Sequence, residues 1–207
     1  MINSTKLRVM IGWLGMLLPW VVLVLSLIFE NIWPSSISYT YFYDSCITPF
    51  MIILGSAALL LFTYEGYDKQ DRIISTLSGV FALGVCLFPT TCAKYTHVGT
   101  FQVPTQISGA IHNGCAIGFF ALLAYNSYFL FTKSAGEMTR RKKIRNLIYK
   151  VCGVGMLGSF ALIIPFEIFD VRVGTWIMEA VALMFFGISW LTKSQYYSWL
   201  FADEEGA

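Results

Sequence analysis

VMIGWLGMLLPWVVLVLSLIF, running from Val9 to Phe29, holds no charged side chain and follows directly on Lys6 and Arg8. A helix needs about 20 mainly apolar residues to cross roughly 30 Å of hydrocarbon, so this stretch is long enough to span a bilayer. It is longer than the apolar core of a secretory leader, and no small-x-small cleavage motif follows it, which makes it a retained first helix. Working outward along the chain, five more stretches meet the same length and composition: Cys46–Thr63, Ile73–Thr91, Gln106–Phe131, Leu147–Ile168 and Gly174–Thr192. Strand-like alternation is absent, and backbone groups in lipid must pair within their own element, so each segment reads as a helix. Composition agrees. Of 207 residues 57% are hydrophobic and 13% charged, and the mean hydropathy of +0.66 lies outside soluble averages. The expected fold is all-α, a polytopic six-transmembrane-helix bundle forming a single domain over 1–207, with 193–207 as a cytoplasmic tail.

The distribution of Lys and Arg sets an orientation, because cytoplasmic loops hold an excess of both. The N-terminus, the second and fourth loops and the C-terminal end hold twelve of the fourteen: Lys6, Arg8, Lys69, Arg72, Lys133, Arg140, Arg141, Lys142, Lys143, Arg145, Lys150 and Lys193. The remaining loops carry only Lys94 and Arg172. This asymmetry predicts both termini in the cytoplasm and an even number of spans. Trp33, Tyr39, Tyr41 and Tyr43 in the first outer loop, and Tyr196, Tyr197 and Trp199 after the last span, are placed to sit at headgroup level. The tail SQYYSWLFADEE reads either as a short interfacial helix or as a frayed end. A net charge of +2, gathered at particular loops, gives no support for a nucleic-acid partner.

Small residues recur at helix-packing spacings: Gly12 with Gly15, Ser75 with Gly79, Gly114 with Gly118, and Gly155 with Ser159. Pro19, Pro49 and Pro165 predict kinks, since each removes a backbone donor. The two inner hairpins share an LFT, a charged turn with Gly66 or Gly136, and a GV-x-x-LG stretch; this fits either a duplication or shared interface chemistry. The five cysteines, Cys46, Cys86, Cys92, Cys115 and Cys152, have no metal spacing and read as small buried hydrophobes.

Ionisable residues within spans are costly and need a partner, water or a purpose. His112 lies in GAIHNGC and Glu179 in WIMEAV, while Asp44 stands at the outer end of the second span in YFYDSC. At 1.5 Å per residue His112 lies about 9 Å below Gln106 and Glu179 about 7.5 Å below Gly174, so the two share a depth. The expected site therefore brings His112 and Glu179 within hydrogen-bonding or single-water distance, with Asp44 lining the same outer cavity and Glu167, Asp170, Arg172 and Lys94 at its rim. A His beside a carboxylate suits acid–base work; an interhelical lock without chemistry is the plainer alternative. Asp44 reads equally well as a solvated cap, and Glu65, Asp68, Asp71 and the run RRKKIR as solvated or headgroup-facing charges. No cofactor is specified: zinc would need His112, Asp44 and Glu179 together, and phosphate loops, dinucleotide fingerprints and nucleophile elbows are missing.

The ordered set SYTYFYD (38–44), FTYEGYDKQDR (62–72), GVFALGVCLFPT (79–90), AIHNG (110–114), YFLFTK (128–133), RNLIYKVCGVGML (145–157) and WIMEAVALMFFGISWLTK (176–193) resembles a bacterial family of six-helix membrane proteins of unknown activity. The resemblance covers roughly residues 35 to 195 and implies the bacterial cytoplasmic membrane, with Asp44, His112 and Glu179 at positions where that family places polar residues. More distantly, a bundle with Asp and His near one membrane face is similar to the superfamily of ceramidases, progestin-type receptors and lipid-remodelling hydrolases. Those proteins carry a late HxxxH pair, and this chain has Glu179 and no such pair. Three functions remain open at this level: a site that binds or modifies a membrane lipid or other amphiphile, a small proton-coupled transporter, and a non-catalytic subunit acting as a homo-oligomer or with a protein partner in the membrane.

Overall fold

The computed structural model describes residues 4–134 and 139–196, so expectations for Gly136, Tyr197, Trp199 and the tail beyond them lie outside the described residues. The described chain is built around six helices: α1 (Ser4–Leu25), α2 (Asp44–Thr63), α3 (Lys69–Leu87), α4 (Thr105–Tyr125), α5 (Arg140–Ile168) and α6 (Gly174–Lys193). A two-residue hairpin, β1 (His97–Val98) with β2 (Val103–Pro104), sits in the connection between α3 and α4. Helices adjacent in sequence pack against each other and α6 closes the ring against α1.

Local chemistry accounts for several boundaries. Asp68 caps α3 by accepting the Asp71 N–H at 2.9 Å, and Thr139 caps α5 by accepting the Lys142 N–H at 3.1 Å. The helices run through Pro19, Pro49 and Pro165 without interruption. Departures from α-helical winding fall instead at wide turns that extend α1 over Ser26–Glu30 and α4 over Asn126–Leu130, placing Ser26, Asn126 and Ser127 in the interior.

Five of the six helices are long and apolar enough to cross a membrane; α3 is the exception. Large apolar side chains cover the outside of the ring, including Trp20, Val24, Ile52, Leu59, Ile117, Val154 and Ile164. Such a coat is untenable in water and natural in lipid. The interior combines Leu18, Val22, Phe50, Leu54, Phe119, Phe186 and Trp190 with small residues at helix crossings. At the α1–α6 crossing a Cβ on Gly187 would lie 2.7 Å from the Gly12 carbonyl, so Gly187 admits glycine alone at this approach, while a Cβ on Gly12 would meet the Leu191 side chain at 2.9 Å. Gly114, by contrast, faces open space and packs nothing. All five cysteines are free.

The two ends of the ring differ in charge. One, here the basic end, gathers Arg8, Lys133, Lys142, Arg145 and Lys193 around the α2–α3 turn. The opposite end carries the 31–43 loop, the hairpin and the α5–α6 turn. The 31–43 loop folds back onto the bundle: Trp33 stacks edge-on against Trp176 with centroids 5.4 Å apart, and Ile37 and Thr40 are buried.

Candidate functional site

α4 positions its part of the site with three polar side chains. Thr105, Ser108 and His112 all bond to the segment that leaves α3: Thr105 Oγ1 accepts the Cys92 N–H at 3.0 Å, Ser108 Oγ donates to the Pro89 carbonyl at 2.7 Å, and His112 Nδ1 bonds the Phe88 carbonyl at 2.8 Å. A carbonyl only accepts, so Nδ1 carries the proton and Nε2 is left as the second, distinct position of the ring. His112 is 2% exposed and Nε2 has no hydrogen-bond partner among the described residues.

α6 supplies Glu179, which is occupied differently from the expectation. Its Oε2 accepts the Ile37 N–H at 2.5 Å and its Oε1 accepts from Ser38 Oγ at 3.2 Å. One turn earlier the Trp176 N–H donates to the Ser35 carbonyl at 3.0 Å. Glu179 and Trp176 thus moor the 35–38 segment to α6. No hydrogen bond or ion pair joins His112 to Glu179 among the described residues, because each has found backbone partners of its own.

A cavity of about 880 Å³ nevertheless contains both side chains. Its polar end is formed by His112, Asn113, Thr175, Glu179, Glu167 and Arg172, with Ser35, Ser36 and Ser38 from the moored loop. Its apolar walls are Ile117, Phe120 and Ala121 of α4 and Leu157, Phe160 and Ile164 of α5. Ile117, Leu157 and Ile164 are 56%, 50% and 63% exposed, so the cavity is open on the side between α4 and α5.

Of the expected rim residues, Glu167, Asp170 and Arg172 line the cavity and Lys94 does not. Lys94 extends over the Tyr95 ring instead. Glu167 accepts from Thr175 Oγ1 at 2.6 Å. Tyr39, also on the wall, is pushed up to about 12 by its contact with the Cys92 thiol and then by burial, so it remains a neutral hydroxyl at physiological pH.

Asp44 is exposed in the first turn of α2 and is not among the cavity-lining residues. Placing it beside His112 requires a correction: the 31–43 loop turns inward at Ile37, so Ser38 and Tyr39 meet the cavity and the chain has left it by residue 44. Its neighbour Ser45 donates to Glu30 Oε1 at 2.9 Å, a carboxylate that sequence reasoning passed over, although it stands directly at the end of the first apolar run. The Thr105, Ser108, His112 stripe was also legible at helical spacing, since all three fall on one face. Among the described residues no three His, Cys, Asp or Glu side chains gather in a metal-binding group, so the donor set His112, Asp44 and Glu179 does not assemble.

The reading of Asp71 and of Arg145, the last residue of RRKKIR, as solvated also needs correction, because Asp71 is 2% and Arg145 4% exposed, whereas Arg140 and Lys143 are exposed. The interior of the basic end draws both inward, while Glu65 and Asp68 stay exposed.

Fold and site together define an all-helical membrane protein with an amphiphilic cavity opening between two of its helices. The chain matches no protein-family model, no curated protein and no solved structure.

Proposed function

We propose that the chain is a six-span protein of a bacterial cytoplasmic membrane, with both termini cytoplasmic, whose outer cavity binds or modifies a lipid or another amphiphile. For the sixth span, the surface of α3 supports the count. Up to Val80 this helix presents Ile73, Leu77 and Val80 outward and buries Asp71, Ser75, Ser78 and Gly79, and over its last turns it buries Ala82, Val85 and Cys86. The first part is the inverse of a helix on a soluble protein and suits lipid outside with polar packing inside. The excess of Lys and Arg at one end supports the orientation, and the ordered motif resemblance supports the bacterial family.

The observation that carries the functional reading is the two-part lining: an apolar slot between α4 and α5 leads to a polar end that contains an unpartnered, buried His112 Nε2. An acyl chain fits the slot and a headgroup the polar end. With Nδ1 donating to Phe88, the neutral imidazole offers Nε2 as a proton acceptor for a headgroup hydroxyl or for water. Glu179 holds the loop that closes this end.

The test is lipid mass spectrometry of the purified protein. The wild type is expected to retain an amphiphile distinct from the bulk lipid composition, and Ala121→Trp, which fills the exposed wall, is expected to lose it at least tenfold. Equal lipid content in the two proteins rejects the site. His112→Asn separates binding from chemistry, since a modified lipid product should disappear while retention persists. The subunit reading draws on one fact, that His112 and Glu179 each serve as loop anchors; retention without any product, in wild type and His112→Asn alike, favours it.

A further inference from the structure

Burial of an ammonium group is costly unless the group is paired, and α6 ends on one. Lys193 is 6% exposed. Among the described residues its Nζ has a single long hydrogen bond, 3.5 Å to the Phe131 carbonyl, and lies 4.4 Å from the centroid of Tyr67 and 4.9 Å from that of Phe131. The same carbonyl accepts Lys142 Nζ at 3.2 Å, so two ammonium groups converge on one oxygen. Arg8 closes the third side: its guanidinium lies 5.7 Å from the Tyr67 centroid, its Nη1 donates to the Lys193 carbonyl at 3.3 Å, and its Nε is buried with no hydrogen-bond partner among the described residues. Buried Arg145 adds further positive charge to the same locus. The facing carboxylate is Asp71: its Oδ2 accepts the Tyr67 N–H at 2.8 Å, and its buried Oδ1, without a hydrogen-bond partner among the described residues, lies 3.6 Å from Lys133 Nζ, so one carboxylate faces several cations. Tyr67 itself is 70% exposed and follows Gly66, whose φ of +66° favours glycine, so an exposed ring on a tight turn covers the buried ammonium.

We infer that this cluster at the basic end is a binding site for a phosphate group, with Lys193 and Arg8 as its principal ligands and Tyr67 as its cover. Arg and Lys at helix ends are the side chains that recognise phosphate, the guanidinium through its fork and the ammonium as a point charge. Basic pockets between helices at the cytoplasmic side of membrane proteins bind phospholipid headgroups by this chemistry. Cation–π contact with Tyr67 and Phe131 offsets part of the desolvation while leaving the Lys193 N–H donors for an oxygen acceptor. The site is separate from the outer cavity and does not depend on it.

The full chain in detergent is titrated with inorganic phosphate, and in parallel reconstituted in nanodiscs of digalactosyl lipid with and without phosphatidylglycerol, with the thermal midpoint and native mass spectrometry as readouts. Wild type is expected to be stabilised by phosphate, or by phosphatidylglycerol alone if the group must come on a lipid. Lys193→Met and Arg8→Gln should each weaken that binding at least tenfold, while Lys94→Met, which removes a cation at the opposite end of the ring, should leave it within about threefold. Because Lys193→Met removes a buried charge it should fold, and Arg8→Gln serves as a second variant in any case. Absence of binding in both arms, or equal binding by wild type and Lys193→Met, overturns the assignment. So does binding that appears only after Asp203→Asn, Glu204→Gln and Glu205→Gln are combined, which would make the chain's own acidic terminus the occupant.

Discussion

The two ends of the ring handle buried polar groups in opposite ways. At the cavity end, side chains bond to the loops, mostly to their backbone: Glu179 to the Ile37 N–H and the Ser38 hydroxyl, His112 to the Phe88 carbonyl, Ser108 to the Pro89 carbonyl and Thr105 to the Cys92 N–H. Those bonds satisfy the loops and leave the space between α4 and α5 open. At the basic end, charged side chains meet aromatic rings and each other, with Tyr64 and Trp190 in edge contact at 4.9 Å and Phe131 and Trp190 at 5.3 Å closing the gaps between helices. Backbone anchoring thus leaves a cavity, whereas charge burial with aromatic packing fills one. The contrast puts the proposed amphiphile site and the proposed phosphate site on different physical footings.

Removing an anchor at the cavity end should have the largest effect. Glu179→Ala orphans the Ile37 N–H and frees the 35–38 segment, and loss of two hydrogen bonds to a carboxylate is worth on the order of 3 kcal/mol. A lowered thermal midpoint together with proteolytic cleavage between residues 33 and 43 is the expected result. An unchanged midpoint would mean that the loop is held elsewhere and that the contrast between the ends is false.

His112→Ala removes one donor to Phe88 and should cost about 1–3 kcal/mol. Because His112 and Glu179 have separate partners, the double variant with both changed to Ala should be additive to within about 0.5 kcal/mol. Rescue of more than about 1 kcal/mol in the double variant would restore a direct interaction between the pair and with it the lock that the sequence suggested. Asp44→Asn, at an exposed position outside the cavity, should move stability by no more than about 0.5 kcal/mol and leave lipid retention unchanged.

These expectations also show where the sequence was informative. The helices were legible because lipid imposes a length and a composition on apolar segments; the six segments fall within the observed helices to within a few residues except where α3 ends at Leu87, short of Thr91, and five of the six helices are long and apolar enough to cross a membrane. Depth along a helix was legible from the 1.5 Å rise, which is why His112 and Glu179 do reach one cavity. Azimuth was not. Whether a side chain at a given depth turns toward its counterpart or toward a loop depends on how the 31–43 and 88–104 connections fold, and hydropathy carries no information on that. Asp44 failed for the same reason: its neighbours Ser38 and Tyr39 enter the cavity through a turn at Ile37 that no periodicity marks. Asp71 failed in the other direction, since four of the eleven residues in FTYEGYDKQDR closest to it in sequence are charged and exposed, and only packing reveals that it points inward.

The smallest expected effect lies at the surface of the basic end, where Lys133 Nζ sits 2.7 Å from Asp68 Oδ2. The hydrogen bond from Lys133, followed by the cap bond from the Asp71 N–H, holds the Asp68 carboxyl below its ordinary value, and the same hydrogen bond raises Lys133. A carboxyl that is harder to protonate when folded contributes stability at neutral pH. That contribution is fully present above the unfolded value of about 3.9 and disappears as pH falls through the lower folded one. Both groups are solvent-exposed, so salt should screen the pair. Thermal midpoints of wild type and Asp68→Asn measured between about pH 3 and pH 7 should therefore converge at the acid end and separate slightly at the neutral end, and the separation should shrink in high salt. Lys133→Met tests the buried neighbour at the same time, because Lys133 also stands 3.6 Å from Asp71 Oδ1. A larger loss for Lys133→Met than for Asp68→Asn, persistent in salt, would locate the more important charge inside the basic end, where burial protects it from screening. Equal, salt-sensitive losses would confine the role of Lys133 to the surface pair with Asp68.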